Sequence, residues 1–177
     1  MVSILGTSTL DATPLQRALN DATHGGAAAK PRPEQEFFCF RVGSFSLGVP
    51  SENVREVMRT SVLTPLPRAP AFILGVASHR GEVLPVMDLL RFLGKGEGIL
   101  HGRTRLFVGV FGTSTTAVLV DTIVGLKKFS VAKILPVPMG GDVAAEHLMG
   151  IVQTDELWTL LNFSKLMGVA RQRAIAR

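Results

Sequence analysis

The chain has 177 residues, a hydrophobic content of 46% and a formal net charge of +5. This length suits one domain or two small ones, and the apolar content is sufficient for a packed core. Aromatic residues make up only 6% of the chain and are not interleaved with basic ones, which argues against a nucleic-acid binder that stacks bases. The dispersed positive charge permits acidic partners without identifying one.

The cysteine content and the hydropathy pattern indicate the compartment. Cys39 is the only cysteine, so no disulfide forms within the chain, and a reducing environment is expected. The sequence has no run of 18 or more apolar residues, and its N-terminus lacks the basic flank of a signal peptide. We therefore expect a soluble, cytoplasmic protein.

The two ends of the chain differ in composition from the middle. Residues 11–22 predict a short helix, and residues 23–36 are rich in Gly, Ala and Pro, as is typical of a linker. We predict that residues 1–36 form a flexible N-terminal extension. Residues 171–177 contain three arginines and predict a basic, solvated tail.

From Phe37 onward the pattern is one of short strands and turns. Residues 37–49 read as two strands joined at Gly43 and Ser44, which predicts a hairpin. Residues 51–59 begin with a capping serine and predict one or two helical turns. Three prolines within residues 64–72 exclude a helix interior or a ladder strand there.

The second half of the chain repeats the pattern of the first at a nearly constant offset. The matching pairs are Val49 and Val120, Pro65 and Pro136, Leu84 and Trp158, Leu89 and Phe163, and Gly94 and Gly168. Such a period indicates two copies of one supersecondary unit, over residues 37–96 and 105–168. Units with several short strands and Gly/Pro turns favour small closed barrels, so we predict an all-β fold, leaving open whether strands cross between the units.

A polar stretch, Ser78-His79-Arg80-Gly81, interrupts two apolar strands of the first unit. Gly81 permits a tight turn, and Arg80 has a planar head with five donors that suits an interface anchor. Alternatively, Arg80 pairs with Glu56, Glu82 or Asp88 and merely locks the turn. These residues alone do not decide between docking and structure.

Catalytic and metal-binding patterns are weak throughout the chain. There is no G-x-S-x-G motif, and His79 is the only histidine with polar neighbours on both sides. His147 with Asp155 and Glu156 is a poor metal set, and the glycine-rich residues 94–98 lack the G-K-[ST] of a phosphate loop. We predict a protein that is not an enzyme and carries no cofactor or metal.

Several stretches of the sequence resemble the CheW family, the adaptors of bacterial chemosensory arrays. They are residues 37–59, 63–89, 116–126, 134–138 and 148–167. The most specific string is "PAFILGVASHRGEVLPVMDL", which carries the family's Arg-Gly pair at Arg80 and Gly81. The resemblance defines residues 37–170 as a CheW-like domain. It implies two five-stranded SH3-like β-barrel subdomains with short helices.

The resemblance also implies a function. CheW-like proteins do no chemistry; they couple the cytoplasmic tips of methyl-accepting chemoreceptors to the regulatory domain of a CheA-type histidine kinase, in arrays that control motility. By motif position, the expected receptor-binding residues are Val54, Glu56, Gly75, Ser78, His79 and Arg80. We expect kinase contacts in the second unit, at Ile123, Val124 and Leu126.

This sequence departs from the family pattern at two places. The family often has Asn-Leu before the Arg-Gly pair, where this chain has Ser78 and His79, and often has arginine where this chain has Leu90. An alternative is therefore a divergent CheW-like paralogue that binds only the kinase or only the receptor and modulates rather than couples. Nucleic-acid binding, the opposing class, predicts strongly salt-dependent retention on nucleic acid, and the scattered basic residues argue against it.

Overall fold

A computed structural model describes residues 33–137 and 145–176 of the chain. Residues 1–32, which make up most of the predicted N-terminal extension, lie outside the described residues. The strands are β1 (Glu34–Val42), β2 (Phe45–Pro50), β3 (Val54–Arg59), β4 (Ile73–His79), β5 (Glu82–Asp88), β6 (Arg105–Phe111), β7 (Ser114–Val120), β8 (Thr122–Ser130), β9 (Leu148–Gln153) and β10 (Leu157–Leu161). The helices are α1 (Leu89–Leu93) and α2 (Phe163–Ile175), with 3-10 turns at Ser51–Asn53, Val131–Lys133 and Ala145–His147.

The strands form two five-stranded sheets, which confirms the predicted all-β, two-barrel fold. Sheet A has the order β8-β1-β2-β10-β9, and sheet B has the order β3-β6-β7-β5-β4. Each sheet therefore combines the first hairpin of one sequence unit with the last three strands of the other. The units at 37–96 and 105–168 are repeats in sequence, but neither forms a barrel by itself, because the hairpins are exchanged.

Each sheet is closed by the segment that follows its outer strand. Thr64, beyond β3, bridges Val76 of β4 through N–H···O bonds of 2.9 and 2.8 Å. Leu135, beyond β8, bridges Ile151 of β9 in the same way, at 2.8 and 2.9 Å. Closure pairs backbone groups that an open sheet edge would leave exposed. These hydrogen bonds close sheet A into barrel A and sheet B into barrel B. The duplication seen in the sequence thus extends to the hydrogen bonds that close both barrels.

The prediction of one or two helical turns over residues 51–59 is wrong. Only Ser51–Asn53 form a 3-10 turn, and β3 begins directly after it. Strand β3 pairs with β6 in antiparallel register, from Val54 opposite Gly109 to Arg59 opposite Arg105. A bulge lies between Val54 and Glu56. Valine favours strands, and pairing with a distant strand outweighs the weak local helical spacing.

Three apolar clusters stabilise the fold. One fills barrel B around Leu84 and another fills barrel A around Trp158, the residues that the repeat aligned. The third and largest lies between the sheets, where the rings of Phe40 and Phe107 have centroids 5.1 Å apart. Because this central cluster takes side chains from both sheets and both helices, neither barrel has a core independent of the other.

The two helices end at different points relative to the repeat. Helix α1 stops at Gly94, which has a left-handed φ of 68°, whereas α2 continues through the equivalent Gly168 to Ile175. Residues 171–175 therefore belong to this helix, and they are exposed, as the prediction of a solvated basic segment expects. The Arg173 guanidinium lies 4.8 Å from the centre of the Phe92 ring and donates to the Phe92 carbonyl at 3.3 Å, which ties the helix to the core. No helix among the described residues is long and apolar enough to cross a membrane.

Candidate functional site

The polar interruption in the sequence is the turn between β4 and β5. His79 and Glu82 form the last cross-strand pair, and Arg80 and Gly81 are the two turn residues. Both have positive φ, at 49° and 82°, the signature of a type I′ hairpin turn. Glycine adopts this conformation freely, whereas an arginine in it is uncommon. The turn projects the Arg80 side chain away from the barrel, with 77% of its surface exposed.

Glu56 on β3 is the centre of a charged cluster against this turn. Its Oε2 atom lies 3.1 Å from His79 Nε2 and 3.2 Å from Arg80 Nη1. An ionised carboxylate can only accept hydrogen bonds, so the contact with His79 places a proton on Nε2. The hydrogen bond from His79 lowers the pKa of Glu56 below its usual value, with further lowering by the charges of Arg80 and Arg55 and opposition from partial burial.

A second ion pair runs beside the first. Arg55 Nη2 lies 2.6 Å from Glu82 Oε2, and Arg55 Nε lies 3.4 Å from Glu56 Oε1. The ion pairs Glu56–Arg80 and Arg55–Glu82 both link β3 to the β4–β5 hairpin. These two elements meet where barrel B closes. Arg80 could act as a docking anchor or as a lock on the turn. It pairs with Glu56, and most of its side chain nevertheless remains exposed to a partner.

Gly75 lies outside this cluster and has a clear structural role. It is buried in β4 with φ of 146°, and a Cβ atom there would lie 2.5 Å from the Thr64 carbonyl oxygen. At the equivalent Gly150 of barrel A, a Cβ atom would lie 2.6 Å from the Leu135 oxygen. Each glycine, by lacking a Cβ atom, thus leaves room for the backbone of the segment that closes its barrel. This packing accounts for Gly75 without a partner.

The other predicted receptor residues are dispersed around the cluster. Val54 is half-buried and packs against the central apolar cluster between the sheets. Ser78 is exposed, and its side chain makes no hydrogen bond to the described residues. The structure therefore brings Glu56, His79 and Arg80 together directly and places Val54, Gly75 and Ser78 elsewhere on the same sheet.

A shallow groove of about 340 Å³ separates the outer strands of the two barrels. Val57 of β3 and Ile123 of β8 supply its apolar lining, and its other lining residues are Arg103, Arg105, Asp121 and Thr122. Val57 is 43% exposed and follows Glu56 directly in β3. Because successive side chains of a strand lie on opposite faces, Val57 shares its face of β3 with Arg55, whose guanidinium pairs with Glu82 and Glu56. The groove and the charged cluster therefore use the same strand but not the same side chains.

Ile123 was predicted to contact a kinase, yet it lies across the groove from Val57. Val124 and Leu126, the other two residues of that prediction, are exposed on β8, Leu126 to 61%. Of the residues predicted to contact a receptor or a kinase, only Ile123 lines this groove. Three lining residues, Val57, Arg103 and Arg105, were not predicted from the sequence. Val57 was missed because residues 51–59 were interpreted as a helix, although the alternation of exposed Arg55 and Val57 would have supported a strand.

The described residues hold no cluster of three or more metal-ligating side chains. The thiol of Cys39 is buried, and burial raises its pKa to about 12, as expected for an unreactive core position. His147 is buried beside Phe92, and burial lowers its pKa. The site on sheet B is therefore suited to binding by charge and apolar contact.

Comparison with known proteins identifies the fold and the family. Residues 36–171 match the family model described as CheW-like domain. The chain is 65% identical over 153 residues to Protein FrzA of Myxococcus xanthus, covering 85% of this chain and 96% of that one. It is 31% identical over 132 residues to Chemotaxis protein CheW of Rhizobium meliloti, covering 75% and 78%. The crystal structure of scaffolding protein TtCheW from Thermoanaerobacter tengcongensis superposes with a TM-score of 0.69 at 23% identity, covering 78% and 90%.

Proposed function

The chain belongs to the CheW-like domain family, and we propose that it is a non-enzymatic, cytoplasmic adaptor that couples methyl-accepting chemoreceptors to a CheA-type histidine kinase in an array controlling motility. The observation that carries this proposal is the exposed Arg80, held by Glu56 of β3, together with a groove between the barrels that Val57 of the same strand lines. An accessible arginine and exposed apolar side chains on one strand are features of a protein-docking surface.

We infer that the groove receives a helix. A receptor tip is expected to be helical in this family, and an amphipathic helix places side chains at i, i+3 and i+4 into such a trough. Val57 and Ile123 would contact the apolar stripe of the helix, and Arg80 would bind a carboxylate or a backbone carbonyl at its end. Neither step requires a bond to be made or broken.

Binding at a single small groove supports only moderate affinity. Small interfaces of this kind belong to transient complexes, and an array multiplies weak contacts by raising the effective concentration of each partner. The proposed adaptor therefore needs two surfaces, one for the receptor and one for the kinase. We assign the exposed part of β8, at Val124 and Leu126, to the kinase contact.

A second candidate is a paralogue that binds only one of the two partners. It is favoured by His79, which forms part of the charged cluster at a position where the family often has leucine. A polar ring at that place changes the surface offered to a receptor. In this case the fold and one interface are retained while coupling is lost.

A pull-down from the native cytosol tests both candidates. The baits are the wild-type chain, Arg80→Glu, and Lys165→Glu as a charge-matched control at an exposed site on α2. Coupling predicts that wild type and control recover a receptor and a kinase, and that Arg80→Glu loses the receptor alone. Recovery of only one partner by every bait favours the paralogue, and recovery of neither from cells that contain both contradicts the two candidates together.

A further inference from the structure

A second groove lies at the turn end of the β6–β7 hairpin, away from Arg105 at the start of β6, and it is larger than the groove between β3 and β8. Its volume is about 600 Å³, and it runs between the proline-rich segment 66–70, the β6–β7 hairpin and helix α2. Its floor is apolar, with Phe72, Ile73, Met87 and Phe111 among the lining residues. The function proposed above makes no use of this groove.

The wall formed by helix α2 has no counterpart in the first unit. Met167, Ala170, Arg171 and Ala174 line the groove and are spaced i, i+3, i+4 and i+7, so they lie on one face of the helix. Three of these four residues follow Gly168, the position at which the equivalent helix α1 ends. The groove therefore arises from an extension of the chain beyond the duplicated unit.

The charge at the rim of this groove has one sign. Arg68 and Arg171 both line it and are exposed, and no carboxylate of the described residues does so. Neither arginine forms an ion pair within the part of the chain that the structure describes. Arg68 also has a left-handed φ of 60°, a conformation that is unfavourable for a residue with a Cβ atom. Two unpaired cations beside an apolar floor complement a ligand that is apolar and acidic.

We propose that this groove docks an amphipathic helix of a partner protein whose apolar stripe is flanked by carboxylates. The small side chains of Ala170 and Ala174 let a second helix approach α2 closely, since the distance between packed helices depends on the side chains at the contact. Arg68 and Arg171 then pair with acidic residues on the docked helix. This surface is separate from the Arg80 site, so the adaptor would hold a further partner without displacing the receptor.

The test uses the full-length chain and two labelled synthetic helices. One peptide of about 18 residues has leucines at helical spacing flanked by glutamates, and the other has lysines in place of the glutamates. Binding is measured by fluorescence anisotropy at low and at physiological salt. We expect the glutamate peptide to bind the wild-type chain at least about tenfold more tightly than the lysine peptide, with a preference that weakens as salt rises.

Charge variants localise the binding. The double variant Arg68→Glu/Arg171→Glu should weaken binding of the glutamate peptide by about tenfold or more, whereas the control Lys133→Glu/Lys165→Glu changes the net charge equally outside the groove and should leave it unchanged. Ala174→Glu should also weaken binding, because it places a carboxylate in the groove. Circular dichroism confirms the fold of each variant, and single Arg→Ala variants replace the double variant if it does not fold.

Three results would overturn the proposal. The first is equal affinity of the chain for the two peptides, and the second is an equal loss of affinity in the groove and control variants. The third is a concentration-dependent dimer in sedimentation that the groove variant abolishes, because a second copy of the chain would then be the occupant. The outcome is independent of the Arg80 site. Arg80→Glu should retain peptide binding, and the groove variants should retain the receptor and kinase in the pull-down.

Discussion

Arg80 Nη1 lies 3.2 Å from Glu56 Oε2, so the β4–β5 turn is attached to β3 at the point where barrel B closes. The contact uses one nitrogen of the guanidinium, and 77% of the Arg80 side chain remains exposed. A side chain that is already oriented loses less conformational freedom when a partner binds. The pairing and the proposed docking role of Arg80 are therefore compatible.

Charge reversal at Arg80 tests its role in docking. Arg80→Glu should weaken binding of a receptor-tip fragment by about 2 kcal/mol or more, because the anchor is lost and two carboxylates then face each other. Isothermal titration gives the affinity, and Lys165→Glu serves as the control. A folded variant with wild-type affinity would remove Arg80 from the binding site.

The groove between the barrels is tested separately at Val57. Val57→Asp should reduce receptor affinity by about tenfold or more, since it places a charge in the apolar part of the groove. Val62→Asp is the matched control, because Val62 is 92% exposed and does not line this groove. Equal affinities of the two variants would argue that receptors bind elsewhere.

The two glycines of the β4–β5 region should differ in their tolerance of alanine. Gly81 has positive φ, but a Cβ atom added there would meet no other atom within 4 Å, so Gly81→Ala should cost only about 1 kcal/mol of backbone strain. Gly75→Ala should cost about 3 kcal/mol or more, because the added methyl group meets the Thr64 carbonyl. Urea denaturation gives both free energies of unfolding, and a reversed order would refute the barrel-closure role of Gly75.

The lowered pKa of Glu56 predicts a contribution to acid stability with a definite sign. A carboxyl group with a lower pKa in the folded state stabilises the fold above its unfolded-state pKa, and this contribution is lost as the pH falls through the folded-state pKa. The stability difference between wild type and Glu56→Gln should therefore shrink as the pH is lowered from 7 towards the acid range.

Denaturant unfolding at several pH values measures this difference. Glu52→Gln is the control, since Glu52 is exposed and forms no ion pair with the described residues. We expect its stability difference from wild type to vary less with pH. A gap between wild type and Glu56→Gln that stays constant with pH would show that the cluster does not stabilise the fold.

The shared central core predicts that both barrels unfold together. Leu84→Ala, in barrel B, should lower the free energy of unfolding by about 2–5 kcal/mol through loss of buried contacts. Trp158, the single tryptophan, lies in barrel A and reports on that barrel by fluorescence. The fluorescence and circular dichroism transitions should shift together, whereas a shift in circular dichroism alone would indicate independent barrels.

Much of the fold could be predicted from local patterns. The Gly43–Ser44 hairpin and the inward-facing pair of Leu84 and Trp158 follow from strand alternation and from the repeat, and both are present. The helix predicted at 51–59 failed because the decisive contacts of β3 are with β6, far away in sequence. The helical conformation of Arg171 and Arg173 was not predicted either. Nothing in the local sequence shows that Phe92 lies beneath the guanidinium of Arg173.

The candidate site was predictable only in part. The turn at Arg80 and Gly81 could be located from the polar break between apolar strands, and its pairing with Glu56 was one of the alternatives considered. Val57 could not be assigned to a groove, because that required β3 to be a strand and β8 to lie opposite it. The sequence also gave no sign that Ile123 lies across a groove from Val57, because the two residues belong to different barrels.

The amino-acid sequence by itself determined the duplication, the strand-rich class and the position of the polar turn, since these depend on spacing and on the conformations that glycine and proline allow. The tertiary structure alone decided which strands share a barrel, since the parallel pairing of β2 with β10 and of β5 with β7 joins residues far apart in the chain. It also decided the neighbours of Arg80 and the existence of both grooves, because a surface between elements is set by how they pack and not by any one segment.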